Sequence, residues 1–470
     1  MRINRLREMD EAELAFAGIA RQAELIAARE ISSRELVELC LDRIAHHDAQ
    51  LNSFRVVFAE RARLEAEQAD ARGGAGGERP LLGVPIAVKD DADVAGEVTL
   101  FGTAADDRPA QADSEVVRRL RAAGAVIIGV TNAPELLLWP FTESAAHGIT
   151  RNPWDLGRTP GGSSGGSGAA VAAGLVGAAL GSDGAGSIRI PAACCGLFGL
   201  KPQRDRISIA PHSDADHAWH GLAVYGPLAR RVADAALFLD VTAHDGGSFL
   251  RAARGAPGHL RIAMSLRPPP PQSVDDEARR AVEEAAATLR SLGHTVEQRD
   301  PPWLRALPHV SVRYLRGARE SGRALPFPER YEDRTRAVMR LGDLIPEGLL
   351  AAARAREHGV AAKLGELFAD FDVLLTPVLA RAAVEVGRWA GRGALMTLDG
   401  VSRYTLSPLL SAWNVTGQPA CAVPAGYSAD GLPLAVQLVG RPDDEATLLA
   451  LAAQLEAERE WPSERPSGLP

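Results

Sequence analysis

Lysine is nearly missing from this sequence. Of 52 Lys and Arg residues only three are lysine: Lys89, Lys201 and Lys363. Arginine stays protonated in proteins, whereas lysine can give up its proton, so a lysine kept inside an apolar run raises the question of what arginine could not do there. Cysteine is scarce too. Cys40, Cys194, Cys195 and Cys421 have neither C-x-x-C spacing nor a framework, which argues against a disulfide scaffold or structural zinc and reads as reduced thiols. The eleven histidines are scattered without H-E-x-x-H, so neither a metal nor another cofactor is expected. No basic block breaks a formal net charge of −8, and nucleic acid is therefore not an expected partner. The longest weakly apolar run, Ala169 to Gly181, has about a dozen small residues, short of the roughly 20 a membrane-spanning helix needs. The opening MRINRLREMD alternates charges with no apolar core, so no secretory signal is expected and the chain is expected in the cytoplasm.

With 46% hydrophobic and 24% charged residues, what remains is an ordinary globular composition. Helical spacing runs from about Asp10 to His47, with a start signal at Ser32-Ser33 and Glu35 close behind. A Gly/Arg-rich loop, Ala71 to Pro80, precedes LLGVPIAVKD, a buried strand that is apolar until it meets Lys89. A βαβ-like passage follows: helix SEVVRRLRAAG, then strand AVIIGV. SGAAVAAGLVG reads as a tightly packed helix and AALGSD as a strand end. RPPPPQSVD is a linker before the helix DDEARRAVEEAAATLRSLG, and DVLLTPVL, PACAVPAG and PLAVQLVG read as strands before a closing helix. This alternation predicts an α/β fold with a largely parallel or mixed sheet. Four segments are expected: residues 1–70 as a helical segment packed on the core, 71–266 as the core itself, 267–400 as a helical, substrate-shaping region with one core strand, and 401–470 as strands and a helix completing the core.

Two Gly/Ser-rich stretches flank one helix: TPGGSSGGSG (Thr159 to Gly168) and LGSDGAGSIRIPAACCG (Leu180 to Gly196). One such stretch is usually a turn or linker, but linkers do not alternate with buried helices. A phosphate-binding loop fits poorly, because neither G-x-G-x-x-G nor G-x-x-x-x-G-K-[ST] is present. A nucleophile elbow centred on Ser164 satisfies G-x-S-x-G, yet the polar loop NPWDLGRTP stands where a strand is needed. A third reading joins the serines to Lys89. A serine hydroxyl is a poor nucleophile until a base takes its proton, and a neutral amine can do so through a second hydroxyl. Working at neutral pH requires the amine to titrate about 3 pH units below its usual ~10.4, roughly 4 kcal/mol against the charged form. Burial in LLGVPIAV is the lever; Asp90 and Asp91 oppose it, and both are expected to be turned away or paired elsewhere.

GGSSGGSG, then SDGAGSIRIPAACCGLFGLKP, resembles the glycine- and serine-rich signature of the amidase signature family. GVPIAVKD resembles that family's lysine strand, and the separation of Ser163 from Ser187 matches its two catalytic serines. The likeness extends to TNAPE, NPWD, DVLLTPVL, NVTGQPACAVP and PLAVQLVGRP. It implies one large α/β domain with a central mixed sheet covered by helices on both sides. It also implies roles: Ser187 as nucleophile, Ser163 as a bridging serine on a cis peptide, Lys89 as terminal base, and the N–H groups of Gly184, Ala185, Gly186 and Ser187 as an oxyanion hole. Asp183, Arg189 and Lys201 match family positions and read as supports. The family mostly has Gly-Gly before the nucleophile where this chain has Ala185-Gly186. If position 185 needs positive φ, Ala185 is strained.

The expected reaction is hydrolysis of carboxylic amide C–N bonds through an acyl-enzyme, with carbamates and esters presenting the same carbonyl. Trp139, Phe141 and Trp413 are the candidate walls of an apolar or aryl pocket, although large apolar residues more often belong to a core. The partner is a small-molecule amide or carbamate, with a homodimer admitted and no membrane contact expected. The alternative within the family is the glutaminase subunit of a tRNA-dependent amidotransferase. The stretch QRDRISIAPHSDADHAWHGLAVYGPLARRVADA looks more like the stand-alone enzymes.

Overall fold

The computed structural model describes residues 10–72, 79–211 and 219–467. The first nine residues read above for a signal, most of the loop Ala71 to Pro80, and residues 212–218 of the stretch after GLKP lie outside the described residues.

Eleven strands make one sheet. In chain order they are β1 (Phe54–Val57), β2 (Pro85–Lys89), β3 (Val126–Thr131), β4 (Ala178–Asp183), β5 (Phe198–Lys201), β6 (Val224–Ala229), β7 (Arg261–Met264), β8 (Thr295–Gln298), β9 (Val373–Pro377), β10 (Ala420–Tyr427) and β11 (Pro433–Val439). They lie side by side as β1-β3-β2-β4-β6-β5-β10-β11-β9-β7-β8. Strands β3, β2 and β4 run parallel, as do β9, β7 and β8, while β6, β5, β10 and β11 are joined antiparallel between them. The sheet is therefore mixed. β2, β3 and β4 are buried along their whole lengths, which is why they read as continuous apolar runs.

Successive side chains on a strand point to opposite faces, and here each face has its own core. Ile86 and Val88 belong to one hydrophobic core with Val232, Val282 and Leu448, whereas Ala87 belongs to another with Val37, Ala170 and Ala192. Helices thus cover both faces. The predicted helix start at Ser32 is a capping box: Ser32 Oγ accepts from Glu35 N while the Glu35 carboxylate accepts from Ser32 N.

Five strands, β1, β5, β6, β7 and β8, were not read from the sequence, and two of them, β1 and β8, change what was expected of their segments. Residues 54–57 fall in the segment expected to be helical, yet β1 pairs antiparallel with β3 at the sheet edge. Segment 267–400 contributes β8 as well as β9. Both are four-residue edge strands with partly exposed side chains, so neither shows the apolar run that marked the central strands.

Candidate active site

The register of two parallel strands builds the site. Ala87 on β2 lies opposite Ala179 on β4, so the C-terminal ends of both strands, Lys89 and Ser182, come together. Lys89 is fully buried, and its Nζ donates to Ser163 Oγ at 2.7 Å and to Ser182 Oγ at 2.8 Å. Burial pushes the Lys89 ammonium below its ordinary pKa, against the opposing pull of Asp91, Asp183 and Asp90.

Ser163 sits just ahead of helix α1 (Gly165–Ala172), after a cis Gly162–Ser163 peptide. Gly162 is required by packing: a Cβ there would lie 2.5 Å from Trp139 O and 2.7 Å from Phe141 N. Ser187, half-buried, lines the same cavity as Ser163 and Ser182. Ser164 is engaged elsewhere. Its Oγ bonds both the N–H and the C=O of Ser182 at 3.2 Å, so the elbow reading loses its nucleophile to a structural clasp.

The loop after β4 is held by a fully paired charge knot. Arg189, on helix α2 (Arg189–Cys195), spends all five of its N–H donors: two on Asp183, two on Asn414 Oδ1 and Gln437 Oε1, one on Leu410 O. Burial alone would raise the Asp183 carboxyl, but Arg189, Asn414 and Lys201 carry it well below the ordinary carboxylate range. Asp183 Oδ1 also accepts from Gly186 N at 2.6 Å. Gly186 is thereby a correction, because its N–H is committed to the loop and not open to a substrate oxygen. The N–H groups of Gly184, Ala185 and Ser187 meet no acceptor among the described residues. Positive φ falls on Gly186, at 117°, and not on Ala185, so the Ala185 side chain brings no backbone strain.

Asp90 is paired elsewhere, as expected: Oδ1 accepts from Arg55 Nε and Leu100 N, and Oδ2 from Gly102 N. Asp91 corrects the expectation. Its Oδ2 lies 3.6 Å from Lys89 Nζ and accepts a hydrogen bond from Ser182 Oγ. β2 ends at Lys89 and the chain turns at once, with Asp91 N and Ala92 N both donating to Lys89 O, so strand alternation no longer sets where Asp91 points.

The cavity holds about 230 Å³ and is walled by Leu138, Trp139, Trp219, Val310, Tyr314 and Leu398 among others. Leu137 also reaches it from a turn in which Leu136 and Leu137 both hold positive φ, 48° and 61°, uncommon for bulky residues. A larger cavity, about 700 Å³, adjoins it across Ser182 and Trp219, and Asp91 is part of its wall. Of the three candidate aromatic walls, only Trp139 lines the site. Phe141 is completely buried between Trp139 and Trp389, with ring centroids 5.8 and 4.8 Å away. Trp413 is completely buried against Trp303 and Phe368. Both are core, the more common fate of such residues. Ser182 and the cavity residues from 307–315 and 398–407 escaped sequence reading. Ser182 stood inside the signature as an unremarked letter, and no motif marks the others.

Among the described residues no helix is long and apolar enough to cross a membrane, and no group of three or more His, Cys, Asp or Glu is placed to hold a metal. Comparison with known proteins places the chain. The sequence pattern of the Amidase family matches residues 35–449. AmiB2 of Mycobacterium tuberculosis is 53% identical over 465 residues, covering 98% of this chain and 100% of its own. The solved structure of a 6-aminohexanoate cyclic dimer hydrolase complexed with substrate superimposes with a TM-score of 0.88 at 33% identity, covering 97% of this chain and 100% of that one. A bacterial aryl acylamidase of the amidase signature family does so with a TM-score of 0.84 at 26% identity, over 97% and 99% of the two chains. This chain belongs to the amidase signature family of amide-hydrolysing enzymes.

Proposed function

We propose that Ser187 hydrolyses carboxylic amides through an acyl-enzyme, with Ser163 and Lys89 as its proton relay. One observation carries the reading: a completely buried lysine donates at 2.7 Å to a serine that shares a cavity with Ser187. Neutral Lys89 accepts the Ser163 proton as Ser163 accepts that of Ser187, and Ser187 Oγ adds to the carbonyl carbon. The tetrahedral oxygen meets the open N–H groups of Gly184, Ala185 and Ser187. The relay then runs backwards: Lys89 returns its proton through Ser163 to the nitrogen, the C–N bond breaks, and the amine leaves. Water attacks the resulting ester by the same route and frees the acid and Ser187.

Apolar walls at Leu138, Trp139, Val310 and Tyr314 favour amides that carry an apolar or aryl group. Anilides and carbamates are the substrates to try first, because both present the same carbonyl. Ser187→Ala should reduce hydrolysis of an acyl anilide to background while leaving the fold unchanged by circular dichroism. Anilide turnover at the wild-type rate in that variant would overturn the assignment. The same assay run on glutamine addresses the glutaminase reading, which predicts ammonia release that rises when a partner subunit is added.

A further inference from the structure

We propose that Asp91 is a positioning residue that fixes the direction of proton flow by holding the Ser182 hydroxyl so that the lone pair of Lys89 is left for Ser163. This rests on the Lys89–Ser163–Ser187 reading above. A carboxylate can only accept, so in the Ser182–Asp91 hydrogen bond the hydroxyl donates. Its proton thus committed, Ser182 Oγ can only accept from Lys89 Nζ, 2.8 Å away. A neutral amine has two N–H bonds and one lone pair. One N–H goes to Ser182, the other lies toward Asp91 Oδ2 at 3.6 Å, and the lone pair is left for Ser163 Oγ at 2.7 Å. The hydrogen bond that the charged ammonium donates to Ser163 thus reverses once Lys89 is neutral, and Ser163 donates to Lys89, which is the polarity the relay needs.

Without the carboxylate, Ser182 is free to turn its own proton onto the lysine lone pair and idle the base. Nothing else ties the group down: Asp91 Oδ1 has no hydrogen-bond partner among the described residues, and Asp91 is 5% exposed. The neighbouring turn is held from β6, where the Tyr225 hydroxyl donates to the Asp91 carbonyl. The charges bearing on Lys89 are Asp90 and Asp91 from its own strand end and Asp183 from β4, while Asp93 and Tyr225 stand beside Asp91 on the wall of the larger cavity.

The test is a double-substitution cycle on the full chain, D91A, S182A and the pair, with kcat and kcat/KM for one anilide followed across pH; alanine is used because asparagine would keep an oxygen able to accept the Ser182 proton. D91A should lower kcat by about tenfold to a hundredfold, below the ~10²–10⁴ that general acid–base catalysis supplies. It should also move the acidic limb of kcat/KM to lower pH, since a carboxylate that favours the charged amine has gone. Adding S182A removes the competing proton, so the double variant should be no slower than D91A alone. Additive losses, or a D91A acidic limb that stays in place, would overturn the role of Asp91. Lys89→Ala in parallel separates the failures: if it keeps wild-type activity the relay itself is wrong, and if it is dead while D91A behaves additively only Asp91 is misassigned.

Discussion

Two buried charge clusters lie at the ends of neighbouring strands, and they are finished differently. Around Arg189 every donor is spent: Asp183, Asn414, Gln437 and Leu410 satisfy the guanidinium completely. Around Lys89 the ammonium meets two hydroxyls at hydrogen-bond distance and one carboxylate at 3.6 Å. A fully paired buried ion pair has no lower state to reach by moving a proton, so it holds geometry. An under-compensated buried amine is pushed toward neutrality and becomes a base. Lys201 makes the contrast sharper. It is as buried as Lys89 and falls to about 7, chiefly by burial with Arg189 adding to it, yet its Nζ donates to the Pro202 and Gly417 carbonyls rather than to a hydroxyl. A depressed lysine is therefore not enough. What distinguishes Lys89 is a hydroxyl partner that opens onto a cavity.

The largest effect that could break this contrast is chemical. Lys89→Ala should lower kcat for amides by about 10⁴ while leaving the unfolding midpoint in urea little changed, in line with the loss of one member of a catalytic unit. The knot should respond in the opposite way. Arg189→Met strands the Asp183 carboxylate and should cost about 3–5 kcal/mol of stability by urea unfolding. If that variant kept its stability and lost only activity, the division between the clusters would fail. Next comes the cavity wall: Val310→Phe should raise KM for bulky aryl amides about tenfold, with kcat for a short acyl amide retained, because it removes volume from the 230 Å³ cavity without touching a relay atom. The last effect is a slope, the smallest of the four only when read over a fraction of a pH unit. Between about 7 and 10.5 the unfolded chain binds a proton at Lys201 that the folded chain lacks, so stability rises with pH across that window. Lys201→Met should flatten the rise by about 1.4 kcal/mol per pH unit, measured as unfolding free energy at several pH values.

Much of the site was legible because its residues sit at points where the sequence pattern changes. Lys89 ends an apolar strand, and Ser163 and Ser187 lie in glycine-rich turns at element boundaries. Strands β2, β3, β4 and β9 were legible for a related reason, burial along their whole lengths, although β5 and β6 are buried as fully and were not read. What was not legible depends on register and turn direction. Ser182 reaches Lys89 only because Ala87 lies opposite Ala179, and Asp91 faces the amine only because the chain turns at the strand end. The aromatic residues failed for a third reason. Trp139, Phe141 and Trp413 are equally apolar in sequence, and only tertiary packing leaves the first on the cavity and the others in the core. Gly186 shows the limit of carrying roles across by position: one hydrogen bond to Asp183 removes its N–H from the oxyanion set.

The central claim is that Lys89 activates Ser187 through Ser163. It is tested most directly by treating the wild-type chain and Lys89→Ala with a serine-directed fluorophosphonate, followed by intact-mass analysis and peptide mapping. The account predicts one adduct per wild-type chain, on Ser187, and labelling slowed by orders of magnitude in Lys89→Ala. An adduct on Ser164, or equal labelling of both chains, would contradict it.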